Sequence, residues 1–198
     1  MRVFLPSTLV ALARASASGE VAVPDGTAFA VTPASVEMHT DGDAEELEML
    51  AAEAAATGSL RLLAAGAQTA AAQAAAEPAA QAAAQPAAGP VPARRVVIAV
   101  DVAESDVTVP VEWDEDAPDL VHLAGPVPMA AVASVLADPP SLTVLVGRAL
   151  PVADEPPPEL GALPEGPAWA ARDEVEASPL LWFDATEIGD LTAGVEAT

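Results

Sequence analysis

From Ala64 to Ala93 the chain is built almost wholly of Ala, Gln and Pro, with Pro78, Pro86, Pro90 and Pro92 spaced along it. No large apolar side chain occurs there before Val91, so the tract has nothing with which to bury a face. Isolated Ala runs favour helix, but the prolines break them. The tract reads as a linker or insertion loop over 64–93, and a second, acidic and Pro-rich loop is expected over 154–167. Whatever packs must come from the segments on either side. Their length suits one globular domain of roughly 150 residues plus extras, so 1–198 reads as a single interrupted domain.

Those segments carry alternating patterns. Val3 to Leu5 reads as a short buried strand ended by Pro6, and Ser7 or Thr8 caps a helix with Leu9, Leu12 and Ala13 on one face and Gly19 at its close. Pro24-Asp25-Gly26 is a turn, Thr27 to Thr32 a strand stopped by Pro33. Asp43 and Glu46 have capping-box spacing before Leu47, Leu50, Ala51 and Ala54, and this helix resumes at Leu60, Leu62 and Leu63 after a weak point at Gly58. The β-branched run Val96 to Val102 predicts a central strand buried on both faces. Val107 to Trp113 has period two, an edge segment interrupted by Pro110. Leu120 to Ala124 is a further strand, Val127 to Ala131 a brief turn, and Ala133 to Ala137 a strand or a continuation of that turn. Ser141 to Leu150 has helical spacing, with Asp138 as its cap and Pro139 in first position. Leu180 to Phe183 closes the sheet, and Asp184 with Glu187 caps a last short helix.

Composition narrows the function classes. The 198 residues hold 30 acidic and 7 basic side chains, for a net charge of -23, with no cysteine. Disulfide and Cys-zinc scaffolds are therefore excluded. Nucleic acid is an unfavourable partner, because this surface repels phosphate. No apolar run reaches the ~20 residues of a membrane span. Lys, Asn and Tyr are absent while Ala makes up about a quarter of the chain, the signature of GC-rich coding, so the missing lysines carry little functional meaning. The acidity fits a solubilising surface or a docking face for a basic protein partner. Met1 to Ala17 has some features of a secretory leader, but Pro6, Ser7 and Thr8 break its apolar stretch and Arg14 falls where small residues belong, so a cytoplasmic location is expected.

The stretches MRVFLPSTL, GTAFAVTPA, DGDAEELE, RRVVIAVDV, AGPVPMAAV and LLWFDATEI, in that order, resemble an uncharacterised actinobacterial family of small acidic single-domain proteins, a domain of unknown function. The resemblance covers most of the chain except the Ala/Gln/Pro tract and the loop near Pro156. It implies an intact cytoplasmic N-terminus and a GC-rich host, and it brings no activity, cofactor or catalytic residue.

Candidate chemistry is sparse. His39-Thr40-Asp41-Gly42-Asp43 has ligand types for a metal but lacks the further oxygens of a calcium loop, and Asp41 and Asp43 serve a helix start, so no metal or cofactor is expected. Asp101, Glu104 and Asp106 follow the central strand, where sites on α/β sheets form, and Asp101 with His122 is the weak catalytic candidate. His122 stands on an apolar strand with no G-x-S-x-G elbow anywhere, and a structural role is the simpler reading. Arg94 and Arg95 could bind an anion or merely balance nearby acids. Trp182 and Phe183, on one strand, must point to opposite faces, leaving one for the core and the other as a possible partner contact.

These readings combine into an α+β two-layer sandwich: a mixed sheet of about five or six strands, helices mainly on one face, compatible with a ferredoxin-like arrangement carrying insertions. The leading functional expectation is a non-enzymatic cytoplasmic interaction or regulatory domain with an acidic surface. The alternative is a small hydrolase or transferase using carboxylates after the central strand. A concave pocket joining Asp101 to His122 or Arg95 would favour the enzyme, and an exposed Trp182 or Phe183 the binder.

Overall fold

Strand β1 (Arg2–Ser7) is apolar on both sides, Val3 and Leu5 facing one way and Phe4 the other, and such a strand needs cover on both faces. The computed structural model describes residues 1–76, 92–112, 114–156 and 166–195, without the side chains of 74–76. In it β1 is joined by β3 (Thr27–Phe29), β4 (Val96–Asp101), β5 (Val107–Thr108), β6 (Leu120–Leu123), β8 (Val132–Ala137) and β9 (Leu181–Asp184). Their order is β5-β6-β3-β1-β4-β8-β9, every pairing antiparallel, with β1 in the middle. A separate two-stranded ribbon pairs β2 (Glu20–Val21) with β7 (Val127–Pro128).

Each face has its own core. Val3 and Leu5 pack with Val96, Ile98, Val100, Val121 and Val135 beneath α1 (Leu9–Ser18) and the short α6 (Ile188–Leu191). On the other face Phe4, Phe29, Val97 and Ala99 meet Ala51, Ala52, Ala55 and Ala56 of the 33-residue helix α3 (Ala44–Ala76). A third cluster joins Leu60 and Ala64 of α3 to Val146 and Ala149 of α4 (Thr143–Ala149) and to Ala171 and Val175 of α5 (Pro167–Glu176).

The expected α+β class is thus the observed one, and β4, next to the middle strand β1, is buried on both faces as expected. The details differ. The main sheet has seven strands among the described residues, and helices cover both its faces, because the apolar stripe of α1 matches Val3 and Leu5 while the Ala stripe of α3 matches Phe4. In a ferredoxin-like sandwich the two strands that flank the first helix run parallel, with another strand between them. Here the strands of the main sheet that flank α1, β1 and β3, are direct neighbours and antiparallel.

Local signals explain most boundaries. Thr8 caps α1, its hydroxyl accepting from the Ala11 N–H, and Gly19 ends it at φ 83°. The first eighteen residues, which share some features with a secretory leader, are therefore the middle strand and a core helix. Asp43 and Glu46 form the expected capping box. Pro33 does not merely stop a strand. It occupies the first turn of α2 (Pro33–Met38), capped by a Thr32–Ser35 box. Nor does α3 end where the Ala/Gln/Pro tract begins. It continues exposed along 65–73 and on to Ala76, since Ala and Gln favour helix and Pro78 is the first proline. Residues 77–91 and 157–165, parts of the two expected loops, lie outside the described residues, as does Trp113. Asp138 is not the cap of α4, which starts after a 3-10 turn at Pro140–Leu142. Its carboxylate is engaged with Arg95 instead.

Gly58 and Ser59 set how closely α3 approaches the sheet. A Cβ at Gly58 would lie 2.8 Å from Pro6 Cγ. The buried Ser59 hydroxyl donates to the Ser7 carbonyl (2.7 Å) and accepts the Val96 N–H (2.9 Å), bridging the ends of β1 and β4. Gly58→Ala should therefore cost about 1–3 kcal/mol despite the higher helix propensity of Ala. Gly66→Ala, on the same helix with nothing within 4 Å of a Cβ, should gain up to about 1 kcal/mol. Urea unfolding of the two variants checks the opposite signs.

Candidate functional site

Arg94 and Arg95 enter β4 where β8 ends at Asp138, and the two ends are closed by a buried ionic clamp. Arg95 Nη2 lies 2.8 Å and Nε 3.1 Å from Asp138 Oδ1, with both side chains essentially inaccessible. The Arg95 backbone N–H donates to Asp138 Oδ2, the Asp138 N–H returns a bond to the Arg95 carbonyl, and Arg94 Nε donates to the Asp138 carbonyl. Arg95 Nη2 also reaches the Ser178 carbonyl at 3.0 Å. Charge balance is therefore the role found for Arg95. The bond to Ser178 fixes the turn that leads from α5 into β9, and so places the last strand.

On β9 the side chains alternate as expected. Phe183 sits opposite Val135 and joins the core under α1, whereas Trp182 sits opposite Leu136 on the α3 face and is 62% exposed. Leu181, beside it, is 45% exposed. Between α3, Leu136 of β8 and the turn that leads into β9 runs a groove of about 520 Å³, lined among others by Met49, Glu53, Arg95, Leu136, Glu176 and Leu180. Met49 is itself 56% exposed. Glu176 is held by Arg172, whose guanidinium also lies 5.1 Å from the Trp169 ring centroid, while no ion pair engages Glu53 among the described residues.

Asp101 and His122 are not brought together. Asp101 is cross-strand partner of Arg2 and accepts from its Nε and Nη2 at 3.1 and 3.0 Å, an exposed pair whose guanidinium holds the carboxyl below its usual range. It borders a shallow cleft of about 320 Å³ with Ala103, Asp106 and the Leu123–Val127 loop, a cleft with no basic side chain on its wall. His122 is exposed on β6 and faces a different cleft, of about 410 Å³, with Glu37, Glu112, Asp114 and Val111. Neither cleft contains Arg95. His39 caps the C-terminal end of α2, its N–H donating to the Ser35 carbonyl, and Asp43 serves the start of α3. Among the described residues no group of three or more His, Asp or Glu could hold a metal ion. Among them, too, no helix is long and apolar enough to cross a membrane.

Sequence reasoning missed Asp119, because Pro118-Asp119 looks like an ordinary polar turn. The residue is 5% exposed beneath α2, and its Oδ1 has no hydrogen-bond partner. Burial pushes its carboxyl above the usual range, with the Ser35 hydroxyl and the His39 imidazole pulling the other way. A folded-state value above the unfolded one means that the native state binds the proton more tightly. Stability contributed by the neutral form is then present below the unfolded value, near ~4, and is lost as pH rises through the folded value. Asp119→Asn should remove this loss. It should melt about 2–4 °C above the parent at pH 7, for about 1 kcal/mol, with the gap closing as pH falls toward ~4. Paired thermal melts across pH check it.

A model of a family of unknown function, DUF6912, matches residues 1–192. No curated protein and no solved structure matches the chain. The match spans both sides of the Ala/Gln/Pro tract and ends just past α6, so it takes in the whole seven-stranded sheet, and the chain belongs to the DUF6912 family, a family of unknown function.

Proposed function

We propose that this protein is a non-enzymatic interaction domain of the cytoplasm, whose acidic surface receives a basic protein partner at the groove between α3 and the turn into β9. The observation that carries the reading is Trp182, a large aromatic left mostly in solvent on an ordered strand, opposite Leu136 of the groove wall. Exposed aromatics of this kind are the usual anchors of interfaces, and the exposed Met49 on the groove wall adds apolar area on the same face of the sheet.

Charge supports a basic partner. Of the seven arginines, Arg2, Arg95 and Arg172 are spent on carboxylates of the fold itself and Arg94 on a carbonyl. With 30 acidic side chains against seven arginines, the chain keeps a large excess of negative charge whatever pairs form. The field around the molecule repels phosphate and anionic lipid and draws in Lys- or Arg-rich surfaces. Support for the cytoplasmic setting is that residues 2–18 are built into the core as β1 and α1.

The test is purification from cells that make the protein naturally, at low and moderate salt, with native mass spectrometry of what co-elutes. A stoichiometric basic protein is expected, released as salt rises and missing from Trp182→Ala, whose stability should stay within about 0.5–1 kcal/mol of the parent because the ring is mostly exposed. A bare protein under both conditions would overturn the reading, as would a partner retained equally by Trp182→Ala. A bound small molecule in place of a partner would move the hydrolase or transferase reading forward.

A further inference from the structure

The two edges of the large sheet are not alike. At one edge β5 offers two residues and is followed by Pro110 within Val109-Pro110-Val111. Shortness and proline are standard protections against strand pairing. At the other edge β9 has four residues, Leu181–Asp184, in unbroken register with β8. It contains no proline and no lysine, and among the described residues β8 is its one strand neighbour. Its two most exposed side chains are Leu181 and Trp182. An edge longer than β5, without proline and with two apolar side chains in solvent and a charge only at its last residue, Asp184, has the form of a template for another strand.

We infer that β9 is a strand-addition site, where an extended segment of the basic partner pairs as an eighth strand and alternates apolar side chains with Lys or Arg. This rests on the reading that the groove beside β9 is a docking face, and it specifies how that face is used. Side chains of the added strand that point to the α3 face flank Trp182, on the face of the sheet where Glu53 lines the groove. At the far end of β9, Asp184 and Glu187 form an exposed acidic cap, again matched to a cation. A second copy of the chain is the wrong occupant on charge. Pairing β9 with β9 would bring together two molecules that each carry a net charge of -23.

Three short synthetic peptides test this on the full chain at low salt, by fluorescence anisotropy and amide hydrogen exchange. One alternates Val and Lys, the second is the same with Pro at two adjacent central positions, so that a ladder N–H is lost in either register, and the third is a Leu–Lys sequence with helical spacing. The alternating peptide should bind and slow exchange at Leu181–Asp184. The Pro version should bind about tenfold or more less tightly, since it cannot complete the ladder. Trp182→Lys, a surface change that places a charge on the edge, should weaken the alternating peptide by a similar factor. Equal binding of the Pro version would overturn strand addition, and so would preferential binding of the helical peptide with β9 unprotected. In both cases the docking reading survives. Failure of every peptide would overturn strand addition, and the salt-labile partner of the purification experiment would then decide separately whether the docking reading stands. Concentration-dependent self-pairing of the protein through β9 would overturn it in favour of a dimer.

Discussion

The Arg95–Asp138 clamp is the interaction on which the placement of the sheet's outer strands depends. One carboxylate accepts both a backbone N–H and a guanidinium, and the same guanidinium reaches past it to the Ser178 carbonyl. The start of β4, the end of β8 and the turn into β9 are thereby held as one unit. Two charges withdrawn from water are costly, and their attraction repays that cost only while both are present with their remaining hydrogen bonds made. Removing one partner leaves a buried, unpaired charge, at about 3–5 kcal/mol. The strand most dependent on that unit is β9, because among the described residues β8 alone flanks it in the sheet.

On the other side of β4 the chain uses size in place of charge. Ala51, Ala52, Ala55 and Ala56 give α3 a flat face, Gly58 lets it meet Pro6, and Ser59 places a hydroxyl between the Ser7 carbonyl and the Val96 N–H. A helix this lean covers the middle of the sheet but not its margins. On one margin it leaves the cleft of His122, and on the other the groove beside Trp182. The groove is thus a consequence of packing small side chains on a broad sheet. What distinguishes it from the opposite cleft is the unprotected strand edge and the exposed tryptophan.

Features specified by near neighbours could be read from the sequence. The Asp43–Glu46 and Asp184–Glu187 boxes, the Thr8 cap, the Gly19 stop and the doubly buried β4 each depend on residues within a few positions of one another. Trp182 and Phe183 point apart because strand geometry permits nothing else. Features that depend on distant partners were hidden. Asp138 has the local look of a helix cap, yet its carboxylate meets an arginine 43 positions earlier. Pro33 fits a strand stop equally well as the first turn of α2, and what favours the helix is the Thr32–Ser35 box together with the bond from the Thr32 hydroxyl to the Pro118 carbonyl. Asp119 is buried by α2, so it could not be recognised until that helix was. The distribution of helices over both faces follows from which apolar stripe meets which side of β1, and periodicity within single elements does not encode it.

The account needs β9 to be a formed, prepositioned edge in the free protein, because a frayed strand would expose Trp182 without offering a template. Residue-resolved amide hydrogen exchange of the free chain tests this most directly, read beside the same measurement on Asp138→Asn. The account predicts that amides of β9 bonded to β8 are protected in the parent and become fast in Asp138→Asn, while those of β1 and β4 stay slow in both. Unprotected β9 amides in the parent protein would contradict it.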